Sequence, residues 1–192
     1  MRYNKTMRAK GLILILLIVA VGLGVLRYRQ EDSPSPSEET TKEVVDMKLV
    51  SSAFEEGQAI PAQYTCDGDN VSPPLTVSEV SEQAKSLAMI VDDPDAPAGD
   101  WVHWLWWNAS GATAEIAENA TPSGAMVGKN DFGANGYGGP CPPSGTHRYQ
   151  FKLFALDDMF DLASGASLKE LQAAMEGHIL AQAELIGLYS RE

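Results

Sequence analysis

Three short stretches carry side chains suited to acid–base or anion chemistry. Asp92-Asp93-Pro94-Asp95-Ala96-Pro97 places three carboxylates within four positions at the end of an apolar run. Its prolines restrict the backbone and so pre-organise whatever the loop presents. Trp101-Val102-His103-Trp104 opens a strand. Period two predicts Trp101, His103, Leu105 and Trp107 on one face and Trp104, Trp106 and Asn108 on the other. The third stretch, Gly138-Gly139-Pro140-Cys141-Pro142-Pro143-Ser144-Gly145-Thr146-His147-Arg148-Tyr149, is a stiff loop feeding a strand. His147 and Tyr149 then point one way and Arg148 the other. Two imidazoles, a phenol and loop N–H groups suit an oxyanion such as phosphate. Two His and an Asp are also a common metal-ligand set, and spacing alone does not decide between the two, although no compact ligand motif supports a metal. Plain readings compete throughout: a solvated acidic turn, a Trp-rich core strand, a satisfied buried histidine.

The elements around these stretches read as mostly β. Met47–Ser51 and Leu75–Val77 are short strand candidates. The segment 54–61 is a polar turn region. Ser86–Val91 is a continuous apolar run of strand length, and Trp101–Asn108 holds all four tryptophans of the chain. Residues 109–146 carry only weak strand signals among many Gly and Pro. Arg148–Leu156 alternates well enough for a central strand. Ser167-Leu168-Lys169-Glu170 is a capping-box pattern, followed by Leu171 and Met175 at helical spacing, with Gly177 as the stop. Ala183–Tyr189 is a last strand or a further helical turn. Strands outnumber helices and do not alternate with them, which argues against a doubly wound sheet.

The N-terminal quarter differs in character. Residues 1–10 are basic and residues 11–26 form a run of 16 without charge or polar side chain. At about 1.5 Å per residue the run reaches roughly 24 Å, and snorkelling of Lys10 and Arg27 extends it toward a membrane span. A cleaved signal peptide is the competing reading, but no small-x-small cleavage site follows. The basic bias before the run predicts a single-pass anchor with the body outside the cytoplasm. Residues 27–46 are an acidic Pro/Ser-rich linker, and the folded domain is expected at 47–192. Six of the 14 basic residues fall in the first 30, which hold no acid, so the remainder sets eight bases against all 26 acids, a balance of −18. Such a body repels polyphosphate, and no nucleic-acid partner is expected.

DDPDAP, WVHWLWWN and GYGGPCPPSGTHRYQFKLFALD together resemble the phosphatidylethanolamine-binding protein family, most closely its bacterial and archaeal Raf-kinase-inhibitor-like branch. The resemblance runs from about Met47 to Tyr189 and includes YTCDGDNVSPPL and GHILAQAELIGLYS. It implies an antiparallel, Greek-key, β-sandwich-like domain with few helices. It also implies a small anion-binding pocket with Asp93, Asp95, His103, Gly139, Pro140, Pro142, His147 and Tyr149 in its wall. The pocket loop is shorter than in animal relatives and no extra C-terminal helix is evident, so their lipid and kinase preferences are not transferred.

Asp131-Phe132-Gly133 spells a kinase triplet, but it precedes His147-Arg148 and Tyr149 stands where the kinase loop needs Asp, so a kinase is rejected. No GxSxG occurs for a serine hydrolase. No cofactor and no metal is expected. Cys66 and Cys141 are the two cysteines, and an extracytoplasmic pair is either a disulfide or two buried thiols. The leading expectation is a membrane-tethered binding module for a small anionic or phosphorylated ligand, with no turnover. The alternatives are a hydrolase or isomerase using His103, His147 and the Asp pair, and an inhibitor of a protease or kinase. Asp93 and Asp95 are expected to orient or charge the histidines, so that anion affinity falls as pH rises through the histidine range.

Overall fold

A computed structural model describes residues 46–191. The basic N-terminal segment, the apolar run and nearly all of the acidic linker lie outside the described residues, and the expected anchor helix with them. Among the described residues, no helix is long and apolar enough to cross a membrane.

The described elements are β1 (Lys48–Ser51), a single 3-10 turn (Ala62–Tyr64), β2 (Leu75–Ser78), β3 (Ser86–Asp93), β4 (Trp101–Ser110), β5 (Glu115–Ile116), β6 (Met126–Val127), β7 (Thr146–Leu156), α1 (Leu168–Met175) and β8 (Ile179–Ser190). One sheet has the order β1-β2-β5 and the other β6-β4-β3-β7-β8. Every pairing between these strands is antiparallel. The mostly-β, antiparallel, helix-poor class therefore holds.

The two sheets share one core. Leu49, Leu75, Val77 and Ile116 of the small sheet meet Leu87, Met89, Val91, Trp104, Trp106, Phe151 and Leu153 of the large one. On the other face of the large sheet, Ala88, Ile90, Leu105, Trp107 and Leu156 pack with Leu171 and Met175 of α1. All eight residues of β3 are buried. A strand covered on both faces has no polar side to show, so its central residues Leu87–Val91 form a continuous apolar run. An eight-residue helix is marginal alone, and α1 depends on its capping box and on burying Leu171 and Met175, worth roughly 1.5–3 kcal/mol each.

Two expectations about the strands change. The segment 54–61 is more than a polar turn: Phe54 and Ile60 are buried in the core. Its backbone also runs along the edge of β8, with Gly57 N–H on Ile186 O at 2.8 Å and Ile60 N–H on Leu188 O at 2.7 Å. The last strand begins at Ile179, well before Ala183, and pairs with β7 along its length.

Period two also fails along β4. Asp92 pairs with Val102 and Val91 with Trp104, so His103 is an extra residue opposite the β3 backbone. Such a bulge restarts the alternation. His103 and Trp104 both serve the inter-sheet side, while Val102, Leu105 and Trp107 belong to the outer cluster. A second irregularity sets Trp107 and Asn108 against Ala88, with Asn108 at φ +61°. The predicted grouping of Leu105 and Trp107 with His103 is thus overturned, and Trp101 alone stays with it.

Candidate functional site

The end of β3, the start of β4, the start of β7 and the loop 138–143 converge. β3 runs two residues past the expected end, so Asp92 and Asp93 are strand residues. The three carboxylates of the loop part company there. Asp92 takes Lys152 Nζ at 2.8 and 2.9 Å. Asp93 Oδ2 lies 2.7 Å from His147 Nδ1, with both side chains under a tenth exposed. Asp95 accepts from Arg148 through its backbone N–H at 3.0 Å, Nε at 2.8 Å and Nη2 at 2.7 Å. Arg148 beside it holds the Asp95 carboxyl down at about 2. Each acid has its own basic partner, so the site is not an open acidic patch, which removes much of the repulsion an anion would meet.

Asp93 also ends its strand with a local turn, Oδ1 accepting the Asp95 N–H at 2.9 Å. With both oxygens engaged, Asp93 orients His147 through Nδ1 and leaves Nε2 as the free polar atom of that ring. His103 is held in a similar way: its Nδ1 donates to Gly138 O at 2.6 Å while Gly138 N–H donates back to His103 O at 2.9 Å. Burial pushes the His103 imidazole below its ordinary value. This corrects the expectation of two chargeable imidazoles. Burial favours the neutral ring, in which Nδ1 carries the proton donated to Gly138 O and Nε2 carries the lone pair.

Tyr149 lies edge-on to His103, ring centres 5.1 Å apart. Burial, then the negative charge of Asp93, push its phenol well up, so it keeps its proton. The hydroxyl is buried without a well-formed hydrogen bond, although the Asp93 carboxylate is close enough to act as its acceptor. A buried unpaired hydroxyl costs about 1–3 kcal/mol.

A cavity of about 220 Å³ opens at this end, lined by Asp93, Ala96, Pro97, Ala98, Trp101, His103, Phe132, Cys141 and Pro143. Of the expected wall, Asp93 and His103 line it, while His147 touches Asp93 and Tyr149 touches His103 without lining it. Asp95 does not, since it follows Arg148 to the opposite face of β7. Gly139, Pro140 and Pro142 are buried and fasten the loop instead. Gly139 N–H donates to Asn70 Oδ1 at 2.7 Å, and a Cβ there would meet Tyr64 O at 2.6 Å. Pro140 O accepts the Cys66 N–H at 3.1 Å. Cys66 and Cys141 form a disulfide, with Cα atoms 5.4 Å apart, which ties the same two segments covalently. Among the described residues, no three His, Cys, Asp or Glu side chains gather as a metal site.

Sequence reasoning missed Phe132. Its ring sits 5.6 Å from Trp101 and 5.3 Å from His103. The triplet dismissed as a kinase decoy supplies this ring, and Asp131 holds its turn in place, the carboxylate accepting the Val102 N–H at 2.7 Å.

A two-sheet antiparallel domain with a small pocket, polar at the bottom and apolar at the mouth, is the class these features define. Residues 50–190 match the family model described as phosphatidylethanolamine-binding protein, and the chain belongs to that family. It is 51% identical over 150 residues to a UPF0098 protein of Methanothermobacter thermautotrophicus, covering 76% of this chain and 99% of that protein. The crystal structure of a putative phosphatidylethanolamine-binding protein homologue, CT736 of Chlamydia trachomatis, superposes with a TM-score of 0.74 at 43% identity, covering 77% of this chain and 99% of that one. Escherichia coli YbcL, described as a member of the mammalian family, gives 0.72 at 32% identity over the same shares. These relatives place the chain among the bacterial and archaeal members.

Proposed function

We propose that the chain is a membrane-tethered module of this family whose pocket, outside the cytoplasm, binds a small anionic or phosphorylated ligand without turning it over. The polar cluster at the small cavity carries the reading: Asp93 and His103 in its lining, with His147 bonded to Asp93 and Tyr149 edge-on to His103. His147, held by Asp93, and the Tyr149 hydroxyl, which has no well-formed bond, add hydrogen-bonding capacity there for an acceptor atom of a ligand. A hydrogen phosphate or phosphomonoester monoanion matches the groups at hand. Its oxygens accept hydrogen bonds from Tyr149 and from His147 Nε2–H, and its own O–H donates to His103 Nε2. The tether rests on residues 11–26 and the basic residues before them. The aspartate–histidine pair is also the arrangement of a general base, but among the described residues no Ser, Thr or Cys side chain hydrogen-bonds to it, so binding without reaction is preferred.

Calorimetric titration of the full-length chain with inorganic phosphate tests the site. His147→Ala is expected to weaken binding by about 1–3 kcal/mol, the scale of a lost charge-assisted hydrogen bond. Unchanged affinity in a folded variant removes His147 from the site. Release of phosphate from a phosphomonoester, abolished by the same change, would move the assignment to a hydrolase.

A further inference from the structure

We propose that Asn119 is the attachment site of an N-linked glycan, an acceptor that the fold keeps on the surface of the domain. This rests on the location outside the cytoplasm argued above, since the modification belongs to chains exposed there, and it is independent of the pocket.

The folded domain holds three Asn-x-Ser/Thr tripeptides: Asn70-Val71-Ser72, Asn108-Ala109-Ser110 and Asn119-Ala120-Thr121. Their surroundings separate them. Asn108 lies within β4 with both side-chain atoms engaged, its Nδ2 donating to Phe160 O at 2.8 Å and its Oδ1 accepting the Phe160 N–H at 2.9 Å. A sugar on that Nδ2 would break the first bond and displace the segment it holds. Asn70 Oδ1 accepts the Gly139 N–H at 2.7 Å, and Ser72, whose hydroxyl a transferase must reach, is only 3% exposed. Asn119 and Thr121 are both exposed, and among the described residues no hydrogen bond ties up either side chain.

The loop around Asn119 is open to an enzyme, since no residue from Ala117 to Ala125 is buried. Its anchors spare the acceptor. Glu118 accepts from Tyr64 Oη at 2.8 Å and from Gln63 Nε2 at 3.2 Å, and Asn119 itself is held only through its backbone, the N–H donating to Ser72 O at 3.0 Å. In the transfer, Asn119 Nδ2 forms a bond to the anomeric carbon of a sugar carried on a lipid phosphate. The bond from that carbon to the phosphate oxygen breaks, the lipid phosphate leaves, and the displaced amide proton passes to a base of the transferase. The Thr121 hydroxyl supplies the hydrogen-bonding group by which the tripeptide is recognised. The glycan then stands just past β5, the two-residue edge strand of the small sheet, and covers an edge open to pairing with another chain.

Intact-mass measurement of the full-length chain, purified in detergent from its own cells, tests this, with protease treatment of intact cells reporting the location of the body. A species heavier than the plain chain by one glycan is expected, with the sugar on the peptide that carries Asn119. Pro122 stiffens the backbone just after the acceptor threonine, so partial occupancy is expected, with both species in one spectrum. Asn119→Gln and Thr121→Ala should each return all of the protein to the plain mass, while Thr121→Ser keeps the heavier species. Thermal unfolding checks the fold, and the Thr121 pair carries the comparison if Asn119→Gln is unfolded. Sugar on Asn70 or Asn108 in place of Asn119, or a heavier species that survives Asn119→Gln, overturns the assignment. A wild-type chain of plain mass whose body is cut in intact cells overturns the glycan and leaves the location standing. A plain chain whose body is protected from the protease overturns the location and this inference together.

Discussion

Two aspartate–histidine pairs stand at opposite ends of β7. At its start, His147 Nδ1 is 2.7 Å from Asp93, and the side chains are only 9% and 5% exposed. Just past its end, His178 Nδ1 is 2.8 Å from Asp157, with 41% and 47% exposure. The bond is nearly the same and the surroundings are not. The first pair is enclosed by Tyr149, His103 and a loop tied by a disulfide. The second has solvent on both partners and a single ring, Phe160, at 5.7 Å. The same pair of charges interacts several times more strongly near a low-dielectric wall than in water. Pair geometry therefore does not mark a site; what marks it is desolvation combined with unsatisfied neighbours.

The largest effect should come from what encloses the first pair. The Cys66–Cys141 bridge spans 75 positions, and chain-entropy reasoning assigns a loop of that length up to about 4.5 kcal/mol. The double change to Ser should lower the urea-unfolding free energy by a large share of that figure. A loss under about 1 kcal/mol would mean that the Pro140–Cys66 and Gly139–Asn70 hydrogen bonds already hold the loop.

Next comes the pair itself. Asp93→Ala leaves a buried imidazole without its partner and should cost about 3 kcal/mol. Asp157→Ala removes an exposed pair and should cost about 0.5 kcal/mol. Equal losses in chemical denaturation would erase the distinction drawn between the two ends.

The smallest effect sharpens the comparison inside one loop, where Asp95 is the exposed counterpart of Asp93. Its folded value, about 2, is below the ordinary 3.8 because Arg148 bonds it. An acid whose value falls on folding contributes stability that is full above the unfolded value and fades as pH drops from there through about 2. Asp95→Asn should therefore cost at most ~1 kcal/mol at pH 7, a surface-pair figure, and little at pH 2. A loss independent of pH would point to backbone geometry at Arg148 in place of charge.

Much of this was legible beforehand, for stated reasons. β3 reads as a buried strand because a strand covered on both faces keeps no polar side, and α1 reads from its capping box because the cap is a local contact. His147 and Tyr149 share a face because β7 pairs regularly with β8 there. The bulge at His103 was not legible, since nothing in Trp101-Val102-His103-Trp104 shows which residue β3 will leave unpaired. Phe132 escaped because an exposed ring on a turn carries no periodic signal.

The amino-acid order alone determined the strand-rich class, the stiff loops and the grouping of three acids within four positions, because these depend on neighbours in the chain. Tertiary structure decided what each acid does. Lys152, His147 and Arg148 reach Asp92, Asp93 and Asp95 from β7, at least 53 residues away. The pairing register of β3 and β7 and the side of the strand each residue faces sort the three. Only Asp93 meets a buried histidine and a phenol without a well-formed hydrogen bond, and so only there does a carboxylate become part of a site.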